Sequence, residues 1–170
     1  MEGLGRLYDF STGFVPVDMQ TAANTGKRVN LCDAGGVAIV LFKAAGTAGD
    51  DPVLTLKEHN AATGGTSQNL VAIDHYYVKS EATLDGDEVW TRVDQAAAAT
   101  ITDPGAAGTS AESQQIVVIE VDASALSDGF SYLSLDVADS GGNAQLGAVL
   151  YVLRDLHVQA DATSLAAPLS

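Results

Sequence analysis

The chain is poor in positive charge. Of its 170 residues, 8 are Lys or Arg against 22 Asp or Glu, a net charge of −14 at pH 7. Phosphate backbones are held by clustered basic side chains, so free binding to DNA or RNA is excluded on composition. Attraction to an anionic membrane surface is disfavoured for the same reason. Cysteine is reduced to Cys32, so no intrachain disulfide can form. With Val29 and Leu31 beside it, that thiol is expected to behave as a small buried apolar group. Long hydrophobic runs are missing too. Val37–Phe42, Ile116–Ile119 and Ala148–Leu153 are the longest, far short of the roughly 20 residues that span a bilayer. Met1 to Phe10 lack the basic and then apolar pattern of a secretory signal.

Signatures of catalysis are also wanting. There is no G-x-S-x-G elbow, no H-E-x-x-H and no glycine-rich phosphate cradle, Gly3-Leu4-Gly5 being the nearest fragment. His59, His75 and His157 fall on three different segments, with no partner at ligand spacing. Asp50-Asp51 and Asp85-Gly86-Asp87-Glu88 sit on loops, and the second lacks the register of a calcium loop. Both read as solvated turns. Glu112, Glu120 and Asp122 could form an acid/base pair only if the fold brought them into one cleft. The expectation is a protein without enzymatic activity, metal or cofactor.

What is present is a globular composition, 46% hydrophobic and 18% charged. At this length it describes one domain, with room for arms. Residues 1–28 are read as an N-terminal arm, because Phe10, Phe14, Val15 and Val17 are spaced for an extended segment; an ordinary first strand on the same core is the alternative. Residues 29–158 form the body and 159–170 a short C-terminal tail, frayed or extended. The body reads as short strands between turn signals. Val29–Cys32 comes first, then a turn at Gly35-Gly36. Val37–Lys43 reads as a central strand buried on both faces. Val53–His59 alternates, with Leu54 and Leu56 opposite Thr55, Lys57 and His59. Leu70–Lys79, Val89–Val93, Ile116–Val121 and Tyr132–Val137 follow. Asp103–Ser110 reads as a mobile loop. Asp122–Gly129 looks like a single helical turn capped by Asp122. Ala96–Thr102 and Leu146–Leu153 could each be helix or strand. The β-preferring run Val149-Leu150-Tyr151-Val152 decides the second for strand, and Thr100-Ile101-Thr102 the first. About nine such strands fit an all-β fold, an antiparallel β-sandwich for which a jelly roll is one arrangement.

Three stretches carry a resemblance. They are Gly13–Val17 (GFVPV) followed by Thr21–Gly26 (TAANTG), Ala45–Pro52 (AGTAGDDP) leading into Leu54–Leu56, and Asn143–Ala148 (NAQLGA) leading into Leu150-Tyr151. Together, across most of residues 6–154, they resemble small virion structural proteins of tailed bacteriophages, a group that includes capsid decoration (cement) proteins. Asp103–Ser110 and the tail after Asp155 depart from that pattern. The resemblance implies a protein made in the host cytoplasm and located on the virion. It would bind and stabilise the capsid exterior, with the major capsid protein as partner and with self-association, a trimer being one form. Phe10, Phe14, Val15 and Val17 are the candidate capsid contacts. Many copies on a symmetric shell gain avidity from modest contacts, and strong negative charge keeps the free protein soluble. Two other functions suit the same sequence. One is a neck or tail component. The other is a carbohydrate-binding adhesion module using an aromatic face around Trp90, Tyr76 and Tyr77.

Overall fold

The computed structural model describes residues 3–105, 110–139 and 141–169. Its strands are β1 (Tyr8–Asp18), β2 (Val29–Asn30), β3 (Ala34–Lys43), β4 (Leu54–His59), β5 (Ser67–Asn69), β6 (Ile73–Glu81), β7 (Thr91–Ala98), β8 (Thr100–Ile101), β9 (Gln114–Asp122), β10 (Tyr132–Val137) and β11 (Leu146–Leu156). Two short 3₁₀ turns, Ala123–Ala125 and Ala162–Ser164, are the only helical elements among the described residues. The strands form an antiparallel sandwich. One sheet runs β1-β11-β3-β9-β6-β7 and the other β2-β10-β4-β5, with β8 also on β4. The ambiguous segments around Ala96 and Leu146 are both strand.

The pairing is nested. β1 lies on β11, β2 on β10, β3 on β9 and β4 on β5. That is one long antiparallel ribbon rolled into two sheets, the strand order of a jelly roll. The β6–β7 hairpin is inserted into this ribbon and widens one sheet to six strands.

Period-two alternation fills the space between the sheets. Val37, Ile39 and Leu41 of β3, Val117, Ile119 and Val121 of β9, and Val149, Tyr151 and Leu153 of β11 meet Leu54, Leu56, Leu133, Leu135 and Val137 of the other sheet. Each such side chain contributes about 1.5–3 kcal/mol on full burial. Tyr151 ties the layers together, its hydroxyl accepting from the Leu135 N–H at 3.0 Å. Burial pushes its phenol well above the usual range. Gly26 closes over this bond. A Cβ there would lie 2.2 Å from the Leu135 carbonyl oxygen and 2.8 Å from the Tyr151 hydroxyl, so no side chain fits.

Several local expectations are corrected. Gly35-Gly36 lies inside β3, and the chain turns earlier, at Cys32-Asp33. Cys32 is therefore exposed rather than buried, its N–H closing the turn onto Asn30 Oδ1 at 3.0 Å. β3 is buried on one face only: Phe42 is 57% exposed, while Lys43, at the charged end of the run, is 2% exposed. Asp122 makes no side-chain cap on the 3₁₀ turn that follows it; its carboxylate pairs with Arg154 instead. β7 begins at Thr91, so Val89 and Trp90 precede it. Within the stretch read as an arm, Tyr8–Asp18 run along β11 as an edge strand, with bulges between Thr12 and Val17. The tail folds back. The Ala160 N–H bonds the Gly5 carbonyl at 2.9 Å and the Asn30 N–H bonds the Pro168 carbonyl at 2.7 Å. Of the Asp103–Ser110 loop, residues 106–109 lie outside the described residues.

Candidate functional site

The outward positions of the five-stranded sheet are polar throughout, with Thr55, Lys57 and His59 on β4 beside Tyr132, Ser134 and Asp136 on β10. At their centre His59 is buried. Its Nδ1 lies 2.6 Å from Ser67 Oγ and its Nε2 2.9 Å from Ser134 Oγ. Arg28 reaches in from before β2, donating to the carbonyls of Ala61 and Gly64 and to Ser67 Oγ. Lys57 pairs with Asp136 at 2.9 Å. Burial, followed by the Arg28 charge, holds the His59 imidazole below its ordinary pKa. A Ser–His contact can serve nucleophilic chemistry. Here His59 and Ser134 are buried while Ser67 is exposed, and the Ser67 contact bolts the 60–67 loop to the sheet. Glu58, the next inward position after Leu56, is buried at the sheet's end. Burial raises its pKa most, and hydrogen bonds from Ser127 and Gln68 at 2.6–2.7 Å outweigh that and leave the carboxyl low.

A second polar cluster lies at the far end of β3. Lys43 Nζ donates to the carbonyls of Ser110, Ser113 and Ala44 at 2.5, 2.7 and 3.3 Å. Burial brings its ammonium down to about 8, against the pull of Asp51 and Glu112. Asp51 accepts from the Ser110 hydroxyl and the Ala111 N–H. This cluster pins the loops at one end of the sandwich, where Lys43 and Ala44 border one surface groove and Ser110 and Ser113 another of about 370 Å³.

The outward positions of the six-stranded sheet are of opposite character. Register places Thr12, Leu150, Val40, Val118, Tyr77 and Arg92 in one row across all six strands. The next rows hold Phe10, Val152, Ala38 and Glu120 on one side, and Ala148, Phe42, Ile116 and Lys79 on the other. Phe10, Phe42, Leu146 and Leu150 are all exposed. A groove of about 300 Å³ opens at the corner of this face, lined by Pro16, Phe42, Ala44, Leu146 and Ala148 among others.

The four expected contact residues divide. Phe10 and Val15 are exposed, whereas Phe14 and Val17 pack partly against the core. The aromatic group divides too. Trp90 and Tyr77, with Val118 and Glu120, line a shallow depression of about 290 Å³, and Lys79 Nζ stands 5.3 Å from the indole centroid. Tyr76 points into the core, its hydroxyl accepting from the Gly105 N–H at 3.0 Å. His75 and His59 lie on opposite outer faces, and His157 follows β11. Glu120 and Asp122 share an outer face with no carboxylate partner from Glu112. Asp85, Asp87 and Glu88 hold oxygens within 4.8 Å of one another. The Glu88 carboxylate already accepts the Asp85 and Gly86 N–H groups that close this exposed turn.

Comparison with protein-family models, with curated proteins and with solved structures gives no match to this chain.

Sequence reading missed two features, the Lys43 clamp and the His59 lock. Lys43 continues the Val37, Ile39, Leu41 alternation and so had a signal. Of the His59 partners, Ser67 lies opposite it across the β4–β5 hairpin, whereas Ser134 comes from a segment with no sequence relation to it.

Proposed function

We propose that the protein is a virion structural component that binds and stabilises the exterior of a tailed-bacteriophage capsid, with the major capsid protein as its partner. Carrying this reading is the bulged edge strand β1, which leaves Val15 63% exposed and sets Pro16 beside the apolar corner groove. Such a projection suits insertion into a neighbouring apolar surface. The jelly-roll strand order is consistent with capsid use, as an analogy at the level of fold, and the sequence resemblance points the same way. Deleting residues 1–20 would remove β1 and the buried Met19 together, so a point substitution is the cleaner probe. Val15→Asp is expected to lower incorporation into particles at least tenfold while the fold is retained. Quantitative mass spectrometry of purified particles supplies the decisive count. Hundreds of copies fit the capsid, about six or twelve would move the protein to the neck or tail, and absence from particles ends the proposal.

The exposed Trp90–Tyr77 depression favours a second reading, a carbohydrate-binding module at the virion surface. Glycan-array binding that disappears in Trp90→Ala supports it, and silence across glycans excludes it.

A further inference from the structure

The outer face of the six-stranded sheet asks for a cover. Its centre is apolar in every row from Phe10 to Tyr77, and apolar faces of this extent on soluble proteins mark contact sites. Roughly two dozen outward positions, at about 4.8 Å between strands and 6.7 Å per two-residue repeat, give a projected area of about 770 Å². A stable interface needs about 800 Å² per partner, so the face alone approaches that size.

Charge selects the occupant. The whole chain carries −14, yet on this face Arg154, Lys79 and Arg92 stand against Glu120, Asp122, Glu81 and Asp94. With Asp155, which pairs with Arg154, the face carries three positive against five negative charges, a small share of the chain's −14. Its ions are also engaged locally: Arg154 pairs with Asp122 and Asp155, Arg92 with Asp94, and Lys79 lies over Trp90. A basic partner would find no acidic patch to grip here. An identical acidic chain could approach by this face with its strongest repulsion directed elsewhere. A twisted sheet face is also the surface that packs on a copy of itself, at about 10 Å separation, as the two sheets do inside one chain.

We infer that this face is a self-association surface, closed in solution by the same face of a second copy. The contact is isologous, so Leu150 and Val40 of each copy lie near the two-fold axis. Val15 and Pro16, at the bulged edge, stay at the perimeter and free for another partner. The inference goes beyond the capsid proposal and stands or falls without it, since particle copy number does not enter its test.

Analytical ultracentrifugation of the full-length chain tests it. At about 10 μM, a concentration in the usual range for such interfaces, the species expected is a dimer of twice the 17.4 kDa chain mass. Leu150→Glu is expected to give a monomer with an unchanged circular dichroism spectrum. Phe42→Glu, at a more exposed position, serves as a second probe should the first fail to fold. Thr55→Glu, on the other sheet's outer face, is expected to leave the dimer intact. Because two acidic chains repel, added salt should tighten the dimer, the opposite of an ion-paired interface. A wild-type monomer, a dimer that survives both glutamates, or a dimer that loosens with salt would each overturn the inference.

Discussion

The two outer faces of the sandwich are built from similar strands and present opposite surfaces. On the five-stranded side, outward positions are polar and bonded to one another, so His59 and Ser134 are buried without apolar cover. On the six-stranded side, the central outward positions are apolar and bare with ion pairs toward the margins, and Phe42, Leu146 and Leu150 meet water. The difference is one of satisfaction. A polar face that saturates its hydrogen bonds is finished by its own chain. An apolar face is finished only when something else covers it. The first contributes to the stability of the monomer, and the second is held in reserve for a contact.

That contrast can be broken by measurement. The largest effect is expected at His59→Leu, which takes the imidazole away from the buried Ser134 hydroxyl and unbolts the Ser67 loop. Urea denaturation should show a loss of about 2–4 kcal/mol. A loss below about 0.5 kcal/mol would mean that the polar face is not a lock.

Lys43 sharpens the contrast, since it is a charged group that the six-stranded sheet keeps inside, opposite the buried Gln115. Its folded pKa, about 8, lies below the ordinary 10.5. Between these values the unfolded chain holds the extra proton, so stability should rise with pH across that window, by up to about 3 kcal/mol. Lys43→Met should flatten the rise. The raised phenols of Tyr76 and Tyr151 act oppositely, above their ordinary 10.0. A urea midpoint that falls between pH 8 and 10 would contradict the burial of Lys43.

On the acid side, His59 is held below its ordinary 6.5. The unfolded chain therefore takes up the proton first as pH falls through 6.5, and stability declines from there until the folded imidazole also titrates. The decline should be absent in His59→Gln, read as the urea midpoint against pH. The smallest effect belongs to the apolar face. Leu150→Ser should cost the monomer no more than about 1 kcal/mol, because the side chain is 41% exposed and has only part of its burial to lose. A loss above about 2 kcal/mol there would make it a core residue and end the contrast.

Much of this architecture was legible because strand alternation is local. Leu54–Leu56, Leu133–Leu135–Val137 and the Val149–Val152 run announced their strands before any contact was known. Others were misread for physical reasons. Val37–Lys43 shows no polar alternation, so it reads as buried on both faces, whereas Val40 and Phe42 lie on the uncovered side. Cys32 lies beside two core residues in sequence, but a turn reverses the chain at that point. Phe14 and Val17 share a spacing with Phe10 and Val15, and only the bulges in β1 turn the first two inward and leave the others out. The sequence therefore could not tell the exposed Phe10 and Val15 from the partly buried Phe14 and Val17, because a bulge shifts which side chains face the core without marking the composition.

Apolar periodicity and turn residues settled that this chain is an all-β antiparallel body, and the scarcity of Lys and Arg settled that it is strongly acidic. Both are sums or repeats over near neighbours, and a sequence displays them directly. Which sheet each strand joins, which outer face is left bare, and that the Ser134 hydroxyl meets His59 depend on contacts between residues tens of positions apart. Those were decided when the ribbon rolled and the β6–β7 hairpin widened one sheet, because only closure of the sandwich gives every outward side chain its neighbours.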